Sequence, residues 1–146
     1  MPAVDPEKPA TLSSRLILGE LKEGLRFDGV ALTDDLVMKA LAAKVPPERA
    51  AVEALAAGAD LLMLSDGYAA PRLSAAILSA IKEGRLSEAR LDDAVLRILE
   101  LKLRFSMAEG LDPRLRATRL AGLSETRAES GREIAAFNAR PRGKKR

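Results

Sequence analysis

The chain has 146 residues, 47% hydrophobic and 31% charged, enough for one buried core and too few for a complete (β/α)8 barrel of ~250 residues. Its formal charge of +3 is uneven: residues 104–146 carry eleven basic and five acidic side chains, which leaves the rest of the chain net acidic. With neither Cys nor His, disulfides, thiolate nucleophiles, zinc–sulfur sites and a Ser–His–Asp triad are all excluded.

Residues 1–10 are proline-rich and read as loop, because proline lacks the amide that helices and ladders need. The opening MPAVDPEKPATLS has acids and prolines where a signal peptide needs a basic then apolar run. Nothing approaches 18 uninterrupted apolar residues, so no membrane span is expected. Ser13 or Ser14 caps a predicted helix carrying Leu16, Ile17, Leu21 and Leu25, with Gly24 as its stop. Gly29-Val30-Ala31-Leu32-Thr33 then reads as a buried strand, of the kind covered on both faces in a parallel sheet. It ends in Asp34-Asp35.

A short helix follows through Leu36, Met38, Ala40 and Leu41. Pro46-Pro47 breaks it and opens an alanine-rich helix from Glu48 to Ala57, closed by Gly58. Asp60-Leu61-Leu62-Met63-Leu64 predicts a second strand, and residues 72–83 a helix stopped by Gly84. Ser87 caps a last clear helix with Leu91, Val95, Ile98 and Leu99 on one face. Phe27 and Phe105 are expected to be buried. Beyond Ser106 the apolar residues are sparse; residues 115–123 suggest a loose helix and 124–146 disorder. The order is that of two successive βα units.

The sharpest chemical feature is Thr33-Asp34-Asp35-Leu36 at the carboxyl end of a strand, where parallel α/β folds place ligands and catalytic groups. A carboxylate there serves as nucleophile, base or metal ligand. Either Asp equally serves as a helix cap, and spacing alone leaves both readings open. Ser65-Asp66 at the second strand's end allows the same pair of readings, with Ser-Asp-Gly closer to ordinary turn chemistry. Met38 is a candidate pocket residue or simply core filler. Tyr68 is one of four aromatics, so sugar-stacking candidates are few. The basic terminus has no interleaved aromatics, which argues against a nucleic-acid partner.

Four blocks in order, PATLS, FDGVALTDDLVMKAL, AVEALAAGADLLMLS and SEARLDDAVLRILELK, resemble the C-terminal part of the catalytic barrel of glycoside hydrolase family 3, most closely its bacterial β-N-acetylhexosaminidase branch. The resemblance spans roughly residues 2–105. It implies an α/β fold made of the last two βα units of a TIM barrel, incomplete here, over residues 1–105, with residues 106–146 a basic and largely disordered tail. It further implies retaining hydrolysis of terminal β-linked N-acetylhexosamine, a role in cell-wall fragment (peptidoglycan) recycling, a cytoplasmic location, and no cofactor or metal.

On the family motif Asp34 corresponds to the nucleophile, with Asp35 and Met38 as supporting residues. In that branch a loop His supplies the proton. This chain has none, and the earlier strands with most of the sugar pocket have no counterpart in it. The expectation is therefore a truncated, weakly active or inactive form, whose partners are an N-acetylglucosamine-containing carbohydrate and either the missing upstream part of the barrel or another copy of itself. The alternatives are a non-catalytic interaction module or a basic-tail nucleic-acid-associated protein.

Overall fold

A computed structural model describes residues 4–105 and 113–139, which fall into two compact units, Met1–Leu86 and Ser87–Arg146.

The first unit starts from a polar clip. Asp5 Oδ1 accepts the amides of Glu7 and Lys8, both at 3.1 Å, and its Oδ2 accepts the Ser13 hydroxyl at 2.6 Å. Ser13 Oγ in turn accepts the Leu16 amide at 3.3 Å. That satisfies one orphan donor of the helix Arg15–Gly24, as the cap reading expects. This helix is wound wider than an α-helix: the Leu25 amide reaches the Glu20 carbonyl, five residues back, at 2.9 Å.

Strand β1, Leu32–Asp35, pairs in parallel with β2, Leu61–Met63. Between them lie α1, Lys39–Ala42, and α2, Pro47–Ala56, with Pro47 in the first turn as predicted. A 3-10 turn, Gly67–Ala69, leads into α3, Ala70–Lys82. The first strand begins later than the apolar run suggests and includes both aspartates. The pairing decides this: the Ala31 carbonyl takes the Asp60 and Leu61 amides at 2.8 and 3.2 Å, and the last rung runs from the Leu36 amide to the Met63 carbonyl at 3.1 Å.

Leu12, Leu36, Leu41, Leu73 and a set of alanines from α2 fill the core beneath the sheet, with Leu62 and Leu64 packed against them. A second cluster joins Val52, Leu55, Ala80 and Leu86. Alanine lets the chain approach closely, and Gly58 takes this to its limit. At φ +108°, a Cβ there would stand 2.6 Å from Leu18 Cδ2, so only glycine fits. A buried ion pair ties the same region together. Lys22 Nζ lies 2.8 and 2.9 Å from the two oxygens of Asp60, and Asp60 Oδ2 also accepts the Ala31 amide at 2.9 Å.

Helices cover one sheet face only. Leu32 and Leu61, register partners, are 57% and 40% exposed, and Met63 beside them 39%. The expectation of a strand covered on both faces is thus corrected, because these side chains stay partly exposed on this side. Phe27 (39% exposed) is likewise not fully buried.

In the second unit, α4, Glu88–Arg104, starts at the predicted cap: Ser87 Oγ accepts the Arg90 amide at 3.2 Å. Its buried residues combine two alanines, Ala89 and Ala94, with the charged Arg90, Asp93 and Glu100. Arg90 and Arg97 both pair with Asp93, and Glu100 holds Ser124 Oγ at 3.0 Å and the Arg127 guanidinium of the next helix. That helix, α5, runs from Pro113 to Asn138. The disorder expected from 124 onward is therefore corrected as far as 138, while residues 140–146 lie outside the described residues. Two causes act together: the segment is rich in Ala, Arg, Leu and Glu, good helix formers, and its less exposed positions, Leu123, Arg127, Ser130, Ile134 and Phe137, recur at four-three spacing. The stripe escapes a hydrophobicity reading because Arg127 and Ser130 belong to it. Phe105, expected to be buried, is 71% exposed. No helix among the described residues is long and apolar enough to cross a membrane.

Candidate active site

The carboxyl ends of β1 and β2 carry every strand-end residue singled out in the sequence, and the structure sorts them into different roles. Thr33 is buried, and its Oγ1 accepts the Met63 amide at 3.0 Å, which adds a side-chain rung to the ladder. The register slips between Leu32 and Asp35: three residues of advance on β1 meet two on β2. Such a bulge re-aims the side chains within it, and Asp34 is one of them.

Asp34 is exposed. Its Oδ1 accepts the amide of its own neighbour, Asp35, at 2.8 Å. It lines a hollow of about 370 Å³ together with Thr33, Leu32, Val30, Phe27, Leu21 and Ile17 among others. The hollow is mostly apolar, with Thr11, Thr33 and Asp34 as its polar side chains.

Asp35 is half-buried and fully engaged. Its Oδ1 accepts the Val37 and Ser65 amides at 3.1 Å each, and its Oδ2 the Ser65 hydroxyl at 2.6 Å. These bonds, the Ser65 hydroxyl first, hold its carboxyl below the usual carboxylate range against a smaller opposing effect of burial. The two readings of the Asp-Asp pair thus divide between its members: Asp35 takes the turn-holding role and Asp34 is left facing the hollow.

The other candidates fall away from this point. Met38 is 39% exposed, precedes α1 in an extended conformation and does not line the hollow. Asp66 Oδ1 accepts the Tyr68 amide at 2.9 Å, ordinary turn chemistry. Tyr68 is 95% exposed. No group of three or more His, Cys, Asp or Glu among the described residues is placed to hold a metal ion. Sequence reasoning did not find the Ser65–Asp35 link or the Lys22–Asp60 pair; both join residues about thirty or more positions apart, and no local pattern announces them.

The family model for the glycosyl hydrolase family 3 N terminal domain matches residues 1–101. The chain belongs to glycosyl hydrolase family 3. A relative in Cellulomonas fimi, named as a beta-N-acetylglucosaminidase/beta-glucosidase, is 29% identical over 136 residues, covering 88% of this chain and 22% of that protein. The structure resembles that of a family 3 beta-N-acetylglucosaminidase from Paenibacillus sp. str. FPU-7, with a TM-score of 0.69 and 39% identity over 86% of this chain and 26% of the other. It also resembles CbsA from Thermotoga neapolitana, with a TM-score of 0.65 and 30% identity over 68% of this chain and 22% of that one. The family 3 chain described here thus spans about a quarter of the length of these relatives.

Proposed function

We propose that this chain forms the last two βα units of a (β/α)8 barrel that hydrolyses terminal β-linked N-acetylglucosamine with retention, and that Asp34 is its nucleophile. The observation that carries the reading is the division of labour at the end of β1. Asp35 spends both oxygens on the turn and on Ser65, while Asp34 stands exposed beside the hollow. The uncovered apolar sheet face around Leu32, Leu61 and Met63 supports the barrel reading, since parallel sheets are normally covered on both sides. The substrate class follows the names of the Cellulomonas and Paenibacillus relatives.

In this mechanism an Asp34 oxygen attacks the anomeric carbon, the bond from that carbon to the leaving oxygen breaks, and a glycosyl ester forms; water then cleaves the ester and frees the sugar. The leaving oxygen needs a proton, an assistance worth ~10²–10⁴ in rate. His-free, this chain depends for that acid on polypeptide it does not contain. Hydrolysis of a chromogenic β-N-acetylglucosaminide is accordingly expected to be feeble with the chain alone and restored by a family 3 polypeptide supplying the preceding strands. Asp34→Asn abolishes it. Restored turnover that survives Asp34→Asn overturns the assignment. The open apolar face also favours a non-catalytic interaction module, and a complemented assembly that forms but never hydrolyses would support that reading instead.

A further inference from the structure

We propose that Ser65, acting through Asp35, is a positioning residue that holds the Asp34 carboxylate in one orientation across the sheet; this rests on the reading of Asp34 as nucleophile. The contact that restrains Asp34 is the Asp35 amide on its Oδ1, at 2.8 Å, which leaves its other oxygen for a substrate. Where that amide sits depends on the Asp35 backbone, which the ladder holds on its carboxyl side, through the Leu36 amide on the Met63 carbonyl at 3.1 Å, while on its amino side the register slips between Leu32 and Asp35. A second restraint comes from beyond the end of β2. Ser65, two residues beyond the end of that strand, gives Asp35 both of its donors, the amide at 3.1 Å and the hydroxyl at 2.6 Å. Each is a hydrogen bond to a carboxylate, of the stronger charge-assisted kind.

A helix-capping aspartate would bond only to its own following turn. Asp35 does so once, to Val37, and otherwise reaches thirty residues along the chain. The chemistry at position 65 is specific: Thr supplies the same two donors, whereas Ala keeps the amide and loses the hydroxyl.

The test uses the full chain carrying ¹⁵N and ¹³C, with Ser65→Ala and Ser65→Thr beside the parent. Three-bond couplings from the Asp34 backbone nitrogen and carbonyl carbon to its Cγ report the side-chain rotamer directly. The expected result is a single rotamer in the parent and in Ser65→Thr, and averaged couplings in Ser65→Ala with the amide spectrum of the rest of the unit preserved. Identical couplings in all three, or averaging already in the parent, overturn the proposal. A second arm measures covalent labelling of Asp34 by a fluorinated N-acetylglucosaminyl fluoride in the chain complemented by a family 3 polypeptide that supplies the preceding strands. Ser65→Ala is expected to lower the labelling rate constant about ten- to a hundredfold, as for a misplaced reacting group, with the half-saturating concentration unchanged and the rate restored in Ser65→Thr. Labelling at Asp34 that is as fast in Ser65→Ala as in the parent sinks the positioning role and leaves the nucleophile standing. Ordered couplings with no label at Asp34 do the reverse.

Discussion

Asp34 and Asp35 are chemically the same residue, adjacent in the chain, and the fold gives them different surroundings. Hydrogen bonds make the difference. Three donors converge on Asp35, so its carboxyl is held below the ordinary value of 3.8, as is that of Asp5, chiefly by the Ser13 hydroxyl. A carboxyl whose folded pKa is lowered contributes stability that is complete above the unfolded value and is lost as pH falls through the folded one. Thermal melts taken from about pH 5 down to about pH 2 should therefore show a falling midpoint. Asp35→Asn and Asp5→Asn should each flatten part of that fall while lowering the midpoint at neutral pH. A midpoint that drops equally in parent and variants would mean that neither carboxylate is held as described. At this scale the sequence was half legible. Spacing placed an Asp-Asp pair at a strand end and the family motif singled out Asp34, but the donors that occupy Asp35 come mostly from Ser65, thirty residues away, which no local pattern announces.

Elements were legible wherever a local signal sufficed. Ser13 and Ser87 cap the helices they precede, Pro47 opens α2 and Gly58 and Gly84 take the positive φ that closes α2 and α3. The signal failed where long-range pairing decides. Strand β1 starts at Leu32 because β2 offers its partners there, and α5 forms along a stripe containing Arg127 and Ser130, which no apolar period reveals. The Lys22–Asp60 pair is the clearest case of remote control. It joins the wide helix to the starts of both strands, with the Asp60 side chain fully buried and that of Lys22 nearly so. Breaking such a pair strands a buried charge and costs about 3–5 kcal/mol. Lys22→Met should thus lower the urea midpoint of the first unit sharply, with Lys22→Met/Asp60→Asn recovering part of the loss. A single variant as stable as the parent would show the pair to be dispensable.

The first unit is an α/β arrangement whose two sheet faces differ. Helices bury the lower face of the sheet, while Leu32, Leu61 and Met63 remain exposed on the other, and each strand has a single neighbour among the described residues. Open strand edges and a contiguous apolar face promote association. In sedimentation velocity the chain alone should show mass rising with concentration, and Leu61→Lys/Met63→Lys should return it towards the monomer. A parent that stays monomeric throughout would mean the face is satisfied by other means. The family could be read from ordered sequence blocks, because strand ends and helix stripes are local.

The proposed role of Asp34 as nucleophile can be tested apart from any proton donor by choosing a leaving group that needs no proton. Incubating the chain, complemented by a family 3 polypeptide that supplies the preceding strands, with a fluorinated N-acetylglucosaminyl fluoride at millimolar concentration, followed by peptide mass mapping, tests it directly. The account predicts one added glycosyl mass on the peptide that carries Asp34, absent in Asp34→Asn. A label on Asp35, or one that persists in Asp34→Asn, would contradict it.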